Sequence, residues 1–394
     1  MLSLARYTKI LSKPDLKGAI AASAIGRLPI GIGGLAILLA VQEASGSFAQ
    51  AGVISAFYIA GLAVIAPWLG RRIDRLGPRR ILSVCALAYP AMLCLLVACL
   101  QLDAPPIAMA AVAFVAGACF PPITACMRVF LRQQLADDDL LSIAFSMESI
   151  LIETIFIVGP LLAALFVAVL SAQAAVLFTA GCALAGTLMF LNSSALRLWR
   201  IETRSAASLF GPLAEPGFPA LLATILCYSL AFGLVEIGVI GYASELGQPS
   251  LAGVLLALMS VGSTVGALVY GGRIWGAPLR RQFAAMLFLL GVGVVLLAVT
   301  DSAWPFAVLS ALAGIVMAPA LIIQSMLVAK IASASHSTEA FTWSSTALLS
   351  GVSAGIACGG LMLESSPSSA VFVAAGIAAM AAALIAILLL RYPR

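Results

Sequence analysis

The chain has 394 residues, 63% of them hydrophobic and only 9% charged, with a formal net charge of +5 and a mean hydropathy of +1.14. A water-soluble core of this composition could not cover its own apolar surface, so a soluble enzyme and a soluble nucleic-acid-binding domain are both excluded. The solvent is a bilayer.

A helical span takes roughly 20 apolar residues. Twelve are predicted, near 19–42, 48–69, 81–101, 106–130, 141–169 and 172–195, then 218–243, 249–272, 282–300, 304–330, 339–363 and 368–390. Lipid offers backbone N–H and C=O groups no partner, so apolar runs this long are helices; barrel strands are shorter and alternate polar with apolar. The predicted fold class is all-α integral membrane. The first span is preceded by Arg6, Lys9, Lys13 and Lys17, as a signal peptide is, but it is longer than an ordinary h-region, contains Arg27 and Pro29, and leads into further spans. It is expected to be a retained helix.

Basic residues then recur at every second connection: Arg71, Arg72, Arg75, Arg79, Arg80, Arg132, Arg197, Arg200, Arg204, Arg273, Arg280, Arg281 and Lys330, and finally Arg391 and Arg394. With the N-terminal four, that places 19 of the 21 basic residues on one side; the loops around Glu43, Asp103, Ser171, Glu245, Asp301 and Glu364 have none. The positive-inside rule puts both termini in the cytoplasm, which an even number of spans requires. The net charge is therefore a topology signal. The polar run Ser193–Gly217 is the longest connection, so the predicted organisation is a six-helix bundle over 1–196, a cytoplasmic linker over 197–217 and a second bundle over 218–394. All eight cysteines fall in spans with no CxxC pair and read as small buried hydrophobes, and neither a metal nor a cofactor is expected.

Two stretches 201 residues apart repeat each other without a gap. AGVISAFYIAGLAVIAPWLGRRIDRLGPRR (51–80) and AGVLLALMSVGSTVGALVYGGRIWGAPLRR (252–281) match at 12 of 30 positions. A repeat at half the chain length, in a sequence of long apolar segments, marks a transporter built from two related bundles.

The loop GRRIDRLGPRR, between the second and third spans, resembles the signature loop of the major facilitator superfamily, with Gly70, Asp74, Arg75, Gly77, Arg79 and Arg80 in the pattern positions. A degraded copy, GGRIWGAPLRR, stands at the matching place in the second half, with Trp275 where the first half has Asp74. Gly70 and Gly77 are expected to permit a tight turn, and Asp74 can accept from free N–H groups at a neighbouring helix N-terminus, where the dipole is positive. The resemblance implies that this helix is the eleventh, beginning near Thr338 and Glu339, so that a latch holds the halves together on the cytoplasmic side. It also implies Arg128 as a partner of Asp74. Arg71 and Arg72 are read as setting topology only.

Charges inside spans cost free energy and tend to be functional or paired. Arg27 and Glu148 lie at similar depth and are expected to pair, leaving Glu153 near the midplane without a cation. Because desolvation disfavours the charged form, such a carboxyl can load and release a proton. Glu153 is the first candidate proton carrier and Glu148 the second. Ala144-Phe145-Ser146 matches Ala340-Phe341-Thr342, which sets Ser344 opposite Glu148 and Leu349 opposite Glu153. The acidic pair thus belongs to one half only, an asymmetry that favours function over architecture.

Pro29, Pro121-Pro122 and Pro319 are expected to interrupt spans one, four and ten, which with span seven line the central cavity in the family that the chain resembles. Tyr58, Met127, Tyr228, Gln324 and Trp343 are candidate cavity residues, and Glu236 lines an outward vestibule or reaches for the interface. Gly159-Pro160 resembles, weakly, an element of proton-coupled exporters. The first functional reading is a proton antiporter that exports small molecules across a bacterial inner membrane as a monomer, its partners being the substrate, protons and lipid. The second is a proton-coupled importer of a sugar or organic acid, and the third is a sensor or assembly factor on a transporter fold. Enzymatic chemistry is not expected, since the only histidine, His336, lies in a loop and no HExxH, GxGxxG or P-loop pattern occurs where it could act.

Overall fold

The computed structural model describes residues 14–135, 137–201, 211–248, 251–300 and 302–388. Arg6, Lys9, Lys13, Arg204, Asp301, Arg391 and Arg394 lie outside the described residues. The elements are α1 (Pro14–Ser45), α2 (Phe48–Leu76), α3 (Pro78–Gln101), α4a (Pro106–Ala118) and α4b (Ile123–Gln134), α5 (Asp138–Val169), α6 (Ala172–Leu191), α7 (Phe218–Glu245), α8 (Leu251–Gly271), α9 (Leu279–Leu297), α10a (Ala303–Gly314) and α10b (Met317–Ile331), α11 (Ser337–Leu363) and α12 (Ser368–Leu388). Among the described residues, 12 spans are long and apolar enough to cross a membrane. They carry an outward coat of exposed Leu, Ile, Val and Phe side chains such as Val64, Leu87, Leu161 and Leu361, which suits lipid contact.

The duplication is legible in packing. In the first half, Gly61 lies against the backbone of Phe114, and Gly117 against the backbone of Tyr58, so that α2 and α4a touch without a side chain between them. In the second half, Gly262 lies against Ala311, and Gly314 against Met259, at the crossing of α8 and α10a. Tyr58 and Met259 are themselves repeat counterparts, 201 residues apart. Small residues at such crossings let backbones approach closely enough for dispersion to hold helices together where lipid removes the hydrophobic drive.

Prolines act as expected at two of three places. The fourth span breaks between Ala118 and Ile123, around Pro121 and Pro122, and the tenth breaks at Ile315–Val316. Ile315 is four residues before Pro319, whose ring displaces that carbonyl from the hydrogen-bond ladder. Pro29, by contrast, is accommodated inside a continuous α1.

The basic loop after the second span proves to be mostly helix. α2 runs on to Leu76, and the chain reverses at Gly77 alone, whose φ of 79° favours glycine, before Pro78 opens α3. The expected turn role of Gly70 is corrected. A Cβ there would strike Thr342 and the backbone of Thr338 and Glu339, so Gly70 is the point where α2 crosses the start of α11.

Buried apolar residues form three cores. One lies at the basic end and draws on both halves, joining Cys126, Met127 and Phe145 to Tyr228, Ile323 and Phe341. The other two lie toward the opposite end, each within one half, around Ile37 and Leu93 and around Val239 and Phe306. The halves are fused on the side that the positive-inside rule assigns to the cytoplasm, and they separate toward the outside.

Candidate functional site

The fused side is built on an uncapped helix. α11 begins after His336, which makes no side-chain capping bond, so its first N–H groups need an acceptor from elsewhere. Asp74 supplies it from the other half. The N–H of Thr338 donates to Oδ1 and that of Glu339 to Oδ2, each at 2.9 Å, and the carboxylate sits at the positive end of the helix dipole. Glu339, almost fully buried, accepts from Arg71 at 2.6 Å through Nη2 and 3.0 Å through Nε.

Three further contacts close the same face. Arg132 donates to Ser337 at 2.6 Å and to the carbonyl of Ala332 at 3.0 Å, and Lys330 pairs with Asp138 at 2.5 Å. Gly211, with φ 53° in the linker, stands so close to the Glu339 carboxylate that no Cβ would fit.

This geometry narrows the set of residues expected at the latch. Arg71, expected only to set topology, crosses between the halves. Arg75, Arg79 and Arg80 are exposed, and among the described residues none of them joins an ion pair. Because α2 stays helical through this stretch, Arg75 points about 100° away from Asp74 and off the α11 face. Arg128 does not meet Asp74 either. Both oxygens of Asp74 are taken by α11, and the Arg128 guanidinium lies 5.9 Å from the centre of the Phe341 ring.

Toward the membrane centre, Arg27 and Glu148 do pair. Nη1 lies 2.7 Å from Oε2, with both side chains at most 3% exposed. Among the described residues, Nε, Nη1 and Nη2 of Arg27, Oε2 of Glu148 and Nε of Arg128 are buried without a hydrogen-bond partner, so the 2.7 Å contact is an ion pair outside hydrogen-bond geometry. The second half holds a neutral version of this cluster. Tyr228, Gln324 and Ser344, which lie 201, 196 and 196 residues after Arg27, Arg128 and Glu148, form a chain in which Tyr228 donates to Gln324 and Gln324 donates to Ser344 at 2.6 Å.

Glu153, one and a half turns beyond Glu148, has no cation beside it among the described residues. Its Oε1 accepts from Ser263 of α8, in the opposite half, at 2.6 Å. With Thr346 donating to the carbonyl of Ala63 at 2.7 Å, this is the outermost hydrogen bond joining the halves among the described residues. Ser263 was not legible as a partner, because a serine among small residues in a span carries no signal of its own.

The expected cavity residues are mostly enclosed in this conformation. Tyr58 shares a 2.9 Å hydrogen bond with Tyr89 inside the first half. Met127, Tyr228 and Gln324 are buried in or beside the shared core, because the cytoplasmic half of the cleft is closed. Trp343 is partly buried, with its Nε1 unpartnered, and Glu236 is exposed on α7.

A family model described as Major Facilitator Superfamily matches residues 20–271, and the chain belongs to that family. Its fold is that of solved members. A bacterial homologue of the iron transporter ferroportin in an outward-facing state superposes with a TM-score of 0.77 at 14% identity, covering 94% of this chain and 98% of that one. The human organic anion transporter MFSD10 (TETRAN) gives 0.70 at 16% identity, covering 95% and 99%. The Escherichia coli fucose:proton symporter FucP gives 0.71 at 12%, covering 94% and 98%. No curated protein matches the sequence. The protein is a multi-pass secondary transporter with 12 membrane-length spans among the described residues.

Proposed function

We propose that the protein exports small molecules in exchange for protons across a bacterial inner membrane, by alternating access of two six-helix bundles. The observation that carries this reading is the place of Glu153, a carboxyl with no cation beside it at the seam between α5 and α8, gripping Ser263 of the opposite half. A charged acceptor strengthens such a hydrogen bond and a neutral carboxyl weakens it. Proton arrival from the outside loosens the seam, and proton loss to the cytoplasm restores it. Asp74, Arg71 and Glu339 hold the cytoplasmic side closed until then. Export is favoured over import by Gly159-Pro160, where α5 crosses α1 with the backbone of Gly159 against Gly31.

Everted vesicles carrying the protein are expected to release a stored pH gradient when an exported compound is added. Glu153→Gln is expected to abolish that release while the protein stays folded in detergent. Release that persists in the variant removes Glu153 from the mechanism, and proton movement in the same direction as the compound replaces antiport by import.

A further inference from the structure

We propose that Arg27, Arg128 and Glu148 form the binding site for an anionic substrate, a small organic carboxylate or phosphate that enters from the cytoplasm; the proposal rests on the transport reading above.

The first support is charge. Two guanidinium groups, which stay protonated in proteins, stand in this region, and the carboxylate of Glu148 pairs with only one of them, Arg27. Arg128 lies on α4b, which packs against α1 and α5, and its guanidinium is 5.9 Å from the ring centre of Phe341 in the other half, so both halves border it. The other acids of the region are engaged elsewhere: Asp74 with the α11 N-terminus and Glu153 with Ser263. Among the described residues, one positive charge, that of Arg128, is therefore left without a counter-ion in a membrane-spanning layer, where an unpaired ion is costly.

The second support is unspent hydrogen bonding. Arg27 is 1% exposed, yet among the described residues none of its three guanidinium nitrogens has a hydrogen-bond partner, and neither has Nε of Arg128. A guanidinium presents a planar fork that matches carboxylate and phosphate oxygens. The equivalent place in the second half argues that architecture does not demand this arrangement, because there Tyr228, Gln324 and Ser344 satisfy one another without any charge. The charged version is confined to one half, where a bound anion offsets its cost.

Geometry then gives the site its direction. Counting about 1.5 Å per residue, Arg27 and Glu148 lie roughly 20 and 15 Å from the cytoplasmic starts of α1 and α5, beneath the shared core. With that core closed there is no room for cargo, and Glu148 takes the arginine. When the cytoplasmic side opens, the anion displaces Glu148 as counter-ion, and reclosure expels it outward.

The test uses the full-length protein in detergent. Its melting temperature is followed against benzoate, citrate and glycerol 3-phosphate as anions, glucose as a neutral probe and tetraphenylphosphonium as a cation. At least one anion is expected to raise it saturably, and the neutral and cationic probes are expected to leave it unchanged. Arg128→Gln, and the double variant Arg27→Gln with Glu148→Gln, which leaves no lone buried carboxylate, are expected to weaken that anion at least tenfold. Stabilisation by none of the anions, stabilisation confined to glucose or tetraphenylphosphonium, or an anion response unchanged in both variants overturns the proposal. Anion binding without proton-coupled movement in vesicles would leave this site standing and overturn antiport; proton-coupled movement of a cation with no anion binding would do the reverse.

Discussion

The two ends of the bundle treat their helix N-termini differently. At the outer end, Glu43 closes α1 and accepts from the N–H of Ala172 at the start of α6, at 3.1 Å. Its counterpart Glu245 closes α7 and accepts from the N–H of Ser368 at the start of α12, at 2.7 Å. The same device is used twice, each time within one half. At the cytoplasmic end, α5 is capped by its own Asp137 through the N–H of Asp139 at 3.0 Å, whereas α11 borrows Asp74 from the other half. The residue that could have returned the favour, Trp275, turns inward, donating to the carbonyl of Tyr270 at 3.1 Å and stacking on the Tyr270 ring. What both halves share is architecture; what only one half has either joins the halves, as Asp74 does, or belongs to the site proposed above for the cargo.

The comparison can be broken most forcefully at the shared crossings. Gly61→Leu and Gly262→Leu each push a side chain into the backbone of the neighbouring helix, at a cost of about 3 kcal/mol. Both are expected to abolish the monodisperse peak on size-exclusion chromatography, and to the same degree. A variant of one half that tolerates the change while the other collapses would show that the two bundles are not packed alike.

Asp74→Asn tests the unshared contact. Losing the charge at the α11 N-terminus costs about 1–2 kcal/mol, enough to populate a state parted on the cytoplasmic side. Cys126, fully buried in the shared core, is a native reporter of that parting. Its alkylation by a small permeant maleimide, read by mass spectrometry, is expected to rise several-fold in Asp74→Asn and to stay unchanged in Trp275→Ala. Equal rises in both variants would mean that the second loop latches as well.

Which of these features the sequence discloses follows from how local their cause is. Span number, side and class were legible because lipid imposes a length and a composition on every helix, and because 19 of 21 basic residues share a side. The pairing of Arg27 with Glu148 could be anticipated from depth alone, since two opposite charges in a membrane have few other places to go. Asp74 at α11 came from the family pattern, and the geometry agrees with it. Arg71 was hidden among five arginines between Arg71 and Arg80, where nothing but the helical phase of α2 distinguishes the one that faces Glu339. Gly70 was misjudged for a related reason, since glycine serves a turn and a close helix crossing equally well. Residue type alone marks Tyr228 and Gln324 as cavity candidates, whereas their burial depends on which side of the cleft is closed.

The gentlest test addresses the outer caps. Glu43→Gln weakens one charge-assisted bond to a helix N-terminus, and Glu245→Gln weakens two, because Glu245 also accepts from the Ser368 hydroxyl at 2.6 Å; in each variant the amide oxygen that remains still accepts from the N–H. Each change is therefore expected to cost about 1 kcal/mol or less, a fall of a few degrees in melting temperature. The fall for Glu245→Gln should be the larger by the hydroxyl bond, and neither variant should alter Cys126 alkylation, because these bonds lie within a half and at the far end from the latch. A change in Cys126 reactivity on loss of Glu43 would show instead that the outer caps feel the opening of the cytoplasmic side, and that the two ends of the bundle are energetically one device.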